Sequence, residues 1–163
     1  MKPEWLPDEL VFSGGQVEDD YAHLFAIFER DFVSGEAVRI EQEEVIVNMT
    51  SDPITNGKYP FGFTHLVTKG KDTRAIDYDR ATRLPWIKAI LQNYDTPEVK
   101  AFWVDQEKGE TLYLWLEDFD FVVILRRLKS KKYHKKIIVT AYFIYSYRRR
   151  DMQKLLLRAK KIL

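Results

Sequence analysis

The sequence predicts an α+β fold: N-terminal helices and a small hairpin, followed by a four-stranded antiparallel meander and a basic C-terminal helix. Three observations carry this. Apolar residues recur at helical spacing from about residue 19 to 33 and again from 78 to 94. Four runs rich in Val, Ile and aromatics succeed one another between Val99 and Tyr145. The connections between those runs are short, which makes neighbouring strands antiparallel.

With 163 residues, 45% of them hydrophobic, the chain can bury one good core and is short for two ordinary domains. We divide it into an acidic N-terminal elaboration, 1–57, and an α+β core, 58–163, forming one compact unit. Residues 1–18, with Pro3, Pro7, Gly14 and Gly15, read as an irregular arm. Leu24, Ile27 and Phe28 then mark an amphipathic helix with acidic residues at its start, closed by Ser34 and Gly35. Ala37–Glu41 and Glu44–Asn48 read as a hairpin with poor turn residues. After a turn-rich loop, FGFTHLVTK places Phe63, Leu66 and Val67 at helical spacing, a short helix ending at Gly70. His65 stands beside its apolar stripe, and Lys69 one turn further along the same side.

The next helix spans Tyr78 to Asn93, with Leu84, Ile87 and Leu91 inward. Pro85 breaks that register unless the helix restarts there, with the proline in a first turn. Arg80 lies in line with the buried stripe and must either snorkel or meet a partner. The four β runs are Val99–Glu107, Thr111–Glu117, Phe121–Lys129 and Tyr133–Tyr145. Phe121–Leu125 is apolar on both faces and belongs near the sheet centre. On the last run, period two sends Ile137, Val139, Ala141 and Phe143 one way and Lys136, Ile138, Thr140, Tyr142 and Ile144 the other. The second set mixes hydroxyl, phenol and lysine with isoleucine, as a half-covered cleft floor would. Met152 and Leu155–Leu157 mark the C-terminal helix.

Cysteine is absent, which rules out disulfides and thiolate metal sites. His23, His65 and His134 are too scattered for a histidine zinc site, and neither metal nor cofactor is expected. No apolar run approaches a membrane span, so a cytoplasmic protein is expected. The net charge of +1 conceals a division. Residues 1–53 carry three basic and thirteen acidic side chains, whereas from Arg126 onward there are fourteen Lys or Arg and one acid, Asp151. A basic block of that kind is an electrostatic footprint for phosphate. The acidic third could fold over that block, or could serve solubility alone.

Two short motifs flank the meander: Gly62-Phe63-Thr64-His65-Leu66 before it and Val139-Thr140-Ala141-Tyr142 on its last strand. In this order they resemble those of the superfamily that groups barnase, EndoU, colicin-type tRNases and RelE-type toxins, in its phage- and mobile-element-associated branch, over residues 58–147. The resemblance implies a metal-independent endoribonuclease of toxin or phage-effector type, cleaving RNA by 2′-hydroxyl transesterification. Its partner would be RNA, with room for an antitoxin or immunity protein. His65 would be general base or acid. Arg126, Arg80 and Lys69 would hold the scissile phosphate, and Thr140 and Tyr142 would donate hydrogen bonds or stack a base. Tyr113, Trp115, Lys131, Lys132, Lys135, Lys136, Arg148 and Arg149 would grip the RNA. The second histidine of many relatives is missing: Thr68, Lys69 and Gly70 stand in its place. Two other readings remain, a non-catalytic nucleic-acid-binding module and an assembly domain of a mobile element.

Overall fold

The computed structural model describes residues 1–129 and 134–163. In chain order the elements are α1 (Val17–Phe32), the hairpin β1 (Arg39–Ile40) and β2 (Glu43–Ile46), α2 (Phe61–Val67), β3 (Thr68–Lys69) and β4 (Ala75–Ile76), α3 (Tyr78–Ala81) and α4 (Leu84–Gln92). Then follow β5 (Val99–Gln106), β6 (Gly109–Leu116), β7 (Phe121–Lys129), β8 (His134–Phe143), α5 (Arg149–Leu157) and β9 (Lys161–Ile162).

The sheet corrects the predicted fold. It has seven strands rather than four, in the order β1-β2-β8-β7-β6-β5-β9, and it is mixed rather than antiparallel, because β2 runs parallel to β8. The hairpin thus extends the sheet at one edge, and β9, absent from the sequence reading, extends it at the other by pairing with β5. Such a parallel pairing joins segments about ninety residues apart, as in Val45 opposite Lys136, and no local pattern announces it.

Local chemistry explains the helices. Glu18, Asp19 and Asp20 sit in the first turn of α1, where the helix dipole favours acids. At its end Glu29 O accepts from Ser34 N and from Ser34 Oγ. The stretch from Tyr78 is two helices, with Pro85 in the first turn of α4, where its missing N–H costs nothing. α2 ends at Val67 rather than at Gly70, and Lys69 lies on the small hairpin β3–β4 rather than one helical turn beyond His65. The N-terminal arm is fastened to α3–α4, since Trp86 Nε1 donates to Pro7 O and Leu10 N to Thr82 O.

Both sheet faces are covered, which is why residues 101–104, 112–116 and 121–125 are apolar on both faces. On one face Leu24, Phe28, Phe63, Leu84 and Ile87 pack against Leu112, Leu114, Val123, Leu125, Ile138 and Ala141. On the other, Phe102, Tyr113, Trp115, Val122 and Ile124 pack with Met152 of α5. Strict alternation fails on β8. Ile124 is opposite Thr140 but Leu125 is opposite Ile138, so Val139 is an extra residue, a β-bulge. Ile138 therefore joins Ala141 in the helix-side core, while Val139 and Tyr142 pack on the α5 side. The Tyr142 face is thus not an open floor: α5 lies over it.

Part of the charge division is resolved inside the chain. Lys136, fully buried, donates from Nζ to Ile40 O (2.8 Å) and to Glu43 Oε1 (2.6 Å), and lies 3.7 Å from Glu41. Arg127 pairs with Glu43 and Glu110 and lies over the Trp103 ring, 4.5 Å from its centroid. Glu41 accepts from Trp103 Nε1 (2.8 Å) and from Lys161 Nζ (2.9 Å). A residue from the hairpin at one edge of the sheet thereby bonds the strand at the opposite edge, so the sheet curls on itself. Glu41 and Gln42, the two-residue loop of that hairpin, both adopt positive φ, 52° and 66°. That is the backbone of a type I′ turn, which favours Asn and Gly over these residues.

Two expectations follow. Gln42→Gly removes left-handed strain without touching the Glu41 carboxylate and should stabilise the fold by about 0.5–1 kcal/mol, read as a higher denaturant midpoint at constant slope. Burial pushes the Glu43 carboxyl up, but the bond and charge of Lys136, with Arg127, outweigh it and hold Glu43 below its ordinary 4.5. Glu41 is depressed likewise, its burial outweighed by Lys161, Trp103 and Lys136. Their contribution is therefore present above about pH 4.5 and is lost as pH falls through the lowered folded values. Lys136→Met should cost about 3 kcal/mol at neutral pH by removing the buried cation that Glu43 and Glu41 share. Its difference from the parent should shrink in melts below pH 4; a gap that persists there would refute the ion-pair account.

Candidate nucleic-acid interface

His65 is placed by a tight approach of two backbone segments. Gly62 N donates to Asn48 O at 2.7 Å, and a Cβ on residue 62 would lie 2.6 Å from that oxygen, so only glycine lets α2 start there. One turn into α2, the His65 ring packs edge-on against Phe61, with centroids 5.7 Å apart. Because α2 ends two residues later, its last carbonyls need partners from outside the helix. Thr64 O accepts from Thr68 Oγ1 and Val67 O from Asp77 N. His65 O accepts from Arg80 Nη1 (3.3 Å) and from Thr140 Oγ1 (3.4 Å).

Arg80 and Thr140 are thus joined to His65, but through its backbone. Arg80 meets several partners at once: Thr68 O at 3.0 Å, the Asp77 carboxylate at 3.3 Å, and the Tyr142 ring, 5.7 Å from its guanidinium. Burial raises the Tyr142 hydroxyl above its ordinary value of 10, with a further push from Tyr113, so the phenol keeps its proton at neutral pH.

The six proposed catalytic side chains do not share one hollow. His65 and Arg126 line one concavity of about 450 Å³, whereas Lys69, Arg80 and Tyr142 line another of about 390 Å³. Thr140 lines neither. Arg126 comes from the sheet centre, on the face of Val122 and Ile124, opposite Thr111 on β6 and Ile137 on β8. This register also brings in Lys108, from the β5–β6 turn. Among the described residues no Asp or Glu lines the His65–Arg126 concavity, and the Arg126 Nε is buried without a hydrogen-bond partner. Phe61 completes one wall.

Burial lowers the His65 pKa below 6.5, and the charges of Arg74 and Arg80 lower it further, against the opposing pull of Asp52. The imidazole is therefore neutral at pH 7, able to accept a proton or a hydrogen bond.

The proposed gripping residues are divided in the same way. Trp115 is fully buried and Tyr113 nearly so, both on the α5 side of the sheet, and neither ring offers a face to solvent. Lys136 is consumed by the buried network, and Lys135 lies 3.7 Å from Glu44. Arg149 pairs with Glu117 and Asp120 beneath the Trp115 ring. Arg148 is exposed, 3.5 Å from Asp151. Lys131 and Lys132 lie outside the described residues. Sequence reasoning missed Lys108 and Phe61; a lysine in a two-residue turn and a phenylalanine opening a helix carry no functional signal until the register sets them beside Arg126.

Among the described residues no three His, Asp or Glu side chains gather as a metal site requires, and no helix is long and apolar enough to cross a membrane. Comparison with protein-family models, with curated proteins and with solved structures finds no match.

The electrostatics of His65 can be measured directly. Its titration followed by NMR should have a midpoint below 6.5, and Arg74→Ala should move that midpoint upward by removing the stronger of the two named charges. A His65 lowered in the folded state favours folding above its unfolded pKa, so its contribution to stability is lost as pH falls below 6.5.

Proposed function

We propose that the protein binds RNA, with a backbone phosphate held at Arg126 in the concavity that it shares with His65 and Lys108. The supporting observation is the Arg126 guanidinium, whose buried Nε has no partner in a hollow that no carboxylate lines. Among the described residues no carboxylate pairs with this cation, and its planar fork matches phosphate oxygens. The neutral imidazole and the Phe61 ring supply an acceptor for a ribose hydroxyl and an apolar wall beside it. RNA as the class of ligand rests on the resemblance of the two short motifs, and with RNA as its partner the protein would act in the cytoplasm.

Cleavage is the second reading, favoured by the neutral His65 beside Arg126. The imidazole would take the 2′-hydroxyl proton and the guanidinium would meet the phosphorane's charge; the protonated imidazole would then return a proton to the leaving 5′-oxygen. This is the metal-independent endoribonuclease of toxin or phage-effector type implied by the resemblance, and an antitoxin or immunity protein would belong to it.

Fluorescence anisotropy with a short single-stranded RNA, titrated with salt, tests both. Arg126→Ala should weaken binding roughly tenfold and reduce the salt slope by about one; an unchanged affinity and slope would exclude the site. Product formed in EDTA, and lost in His65→Ala with the melting temperature retained, would establish cleavage; binding without product leaves a module that holds RNA.

A further inference from the structure

We infer that the bound RNA is single-stranded and that one of its bases stacks on Tyr147; this rests on the RNA-binding reading above. The observation is a pair of aromatic rings that the fold leaves outside its cores. Tyr145 and Tyr147 lie parallel, 3° between planes and 5.8 Å between centroids, and are 38% and 74% exposed. Elsewhere the large rings of this sheet, Trp103, Trp115 and Phe121, are fully covered.

The pair is preset rather than loose. Ile144, just before it, is buried and donates its N–H to Asp120 O, and the turn Ser146–Arg148 closes with Arg148 N on Tyr145 O. Arg149, just after it, is tied to Glu117 and Asp120. The Tyr145 hydroxyl donates to Asp79 Oδ2 at 2.6 Å, which fixes the ring that supports Tyr147 from behind. Preset rings lose little conformational entropy when a ligand stacks on them.

The surroundings suit a nucleotide chain. Tyr145 and Tyr147 border the second concavity, which is lined by the cations Lys69, Arg80 and Arg148 together with Asp77 and Asp151. Arg80 lies near Asp77 and Arg148 near Asp151, while no carboxylate pairs with Lys69 among the described residues. Rings beside cations are the means by which proteins hold unpaired strands, since every base has a face to stack and every linkage a charge to meet. The two concavities also adjoin along one strand. Val139 lines the first and Tyr142 the second, three residues or about 10 Å apart on β8. A strand anchored by phosphate at Arg126 therefore reaches the tyrosines within a few nucleotides, whereas the bases of a duplex are stacked on one another and cannot.

The test compares a single-stranded RNA with an abasic strand of the same length, which keeps the phosphates and lacks the bases. The parent protein should prefer the RNA about tenfold or more, as one base–aromatic stack predicts. Tyr147→Ala should erase that preference and Tyr147→Trp should retain it, with melting temperatures unchanged for so exposed a position. A duplex of the same sequence should show no dependence on residue 147. Equal affinity of the parent for the two strands, or a preference that survives Tyr147→Ala, overturns the stacking while leaving the phosphate site at Arg126 standing. Failure of the parent to bind either strand overturns both.

Discussion

The fold turns on a lysine ammonium with no access to water. Lys136 Nζ sits against Glu43, Glu41, Ile40 O and the Trp103 ring. An isolated charge in that position would be prohibitive, so its partners must be in place whenever the protein is folded. Those partners arrive from the hairpin at one sheet edge and, through Glu41 and Arg127, involve β5, β6, β7 and β9 as well. The curl of the sheet and the neutralisation of its charges are one event. Glu41, Glu43 and Glu44 of the first third are spent on Arg127, Lys135, Lys136 and Lys161 of the last, while the neighbouring Arg126 has a buried Nε without a hydrogen-bond partner.

Much of the element content was legible in the sequence because it depends on near neighbours. Period-3.6 stripes gave the helix around Leu24 and Phe28, Pro85 marked the restart of α4, and the β runs fell close to where the strands lie. The architecture was not legible to the same degree. β2 meets β8 across a separation that no short pattern encodes, and β9 is two residues long. Lys136 looks like any lysine of a basic run; its burial follows from the arrival of β1 and β2. The bulge at Val139 reassigns Ile138 to the other face, a change that strict alternation cannot foresee.

The candidate site divides on the same principle. His65, Arg126, Arg80 and Tyr142 were singled out by residue type and parity, and the structure links His65, Arg80 and Thr140 through one helix-end carbonyl. Their distribution between two hollows depends on register and on where α5 lies, neither of which is a local property. Tyr113 and Trp115 have the composition of a stacking surface and the location of a core. Tyr145 and Tyr147 have the same composition and lie outside it. Aromatic content alone does not separate these cases; the helix laid over one pair and not the other does.

The bond between Glu41 and Lys161 spans 120 residues of sequence, and this has a bearing on the order in which the molecule can be assembled during synthesis. The hairpin carrying Glu41 leaves the ribosome well before Lys136, and Lys161 follows 120 residues after Glu41. Until then the carboxylates of the hairpin have neither their lysines nor a sheet to join, and must stay in water. A chain built this way holds the hairpin in reserve, and its sheet can close only once Lys161 has followed.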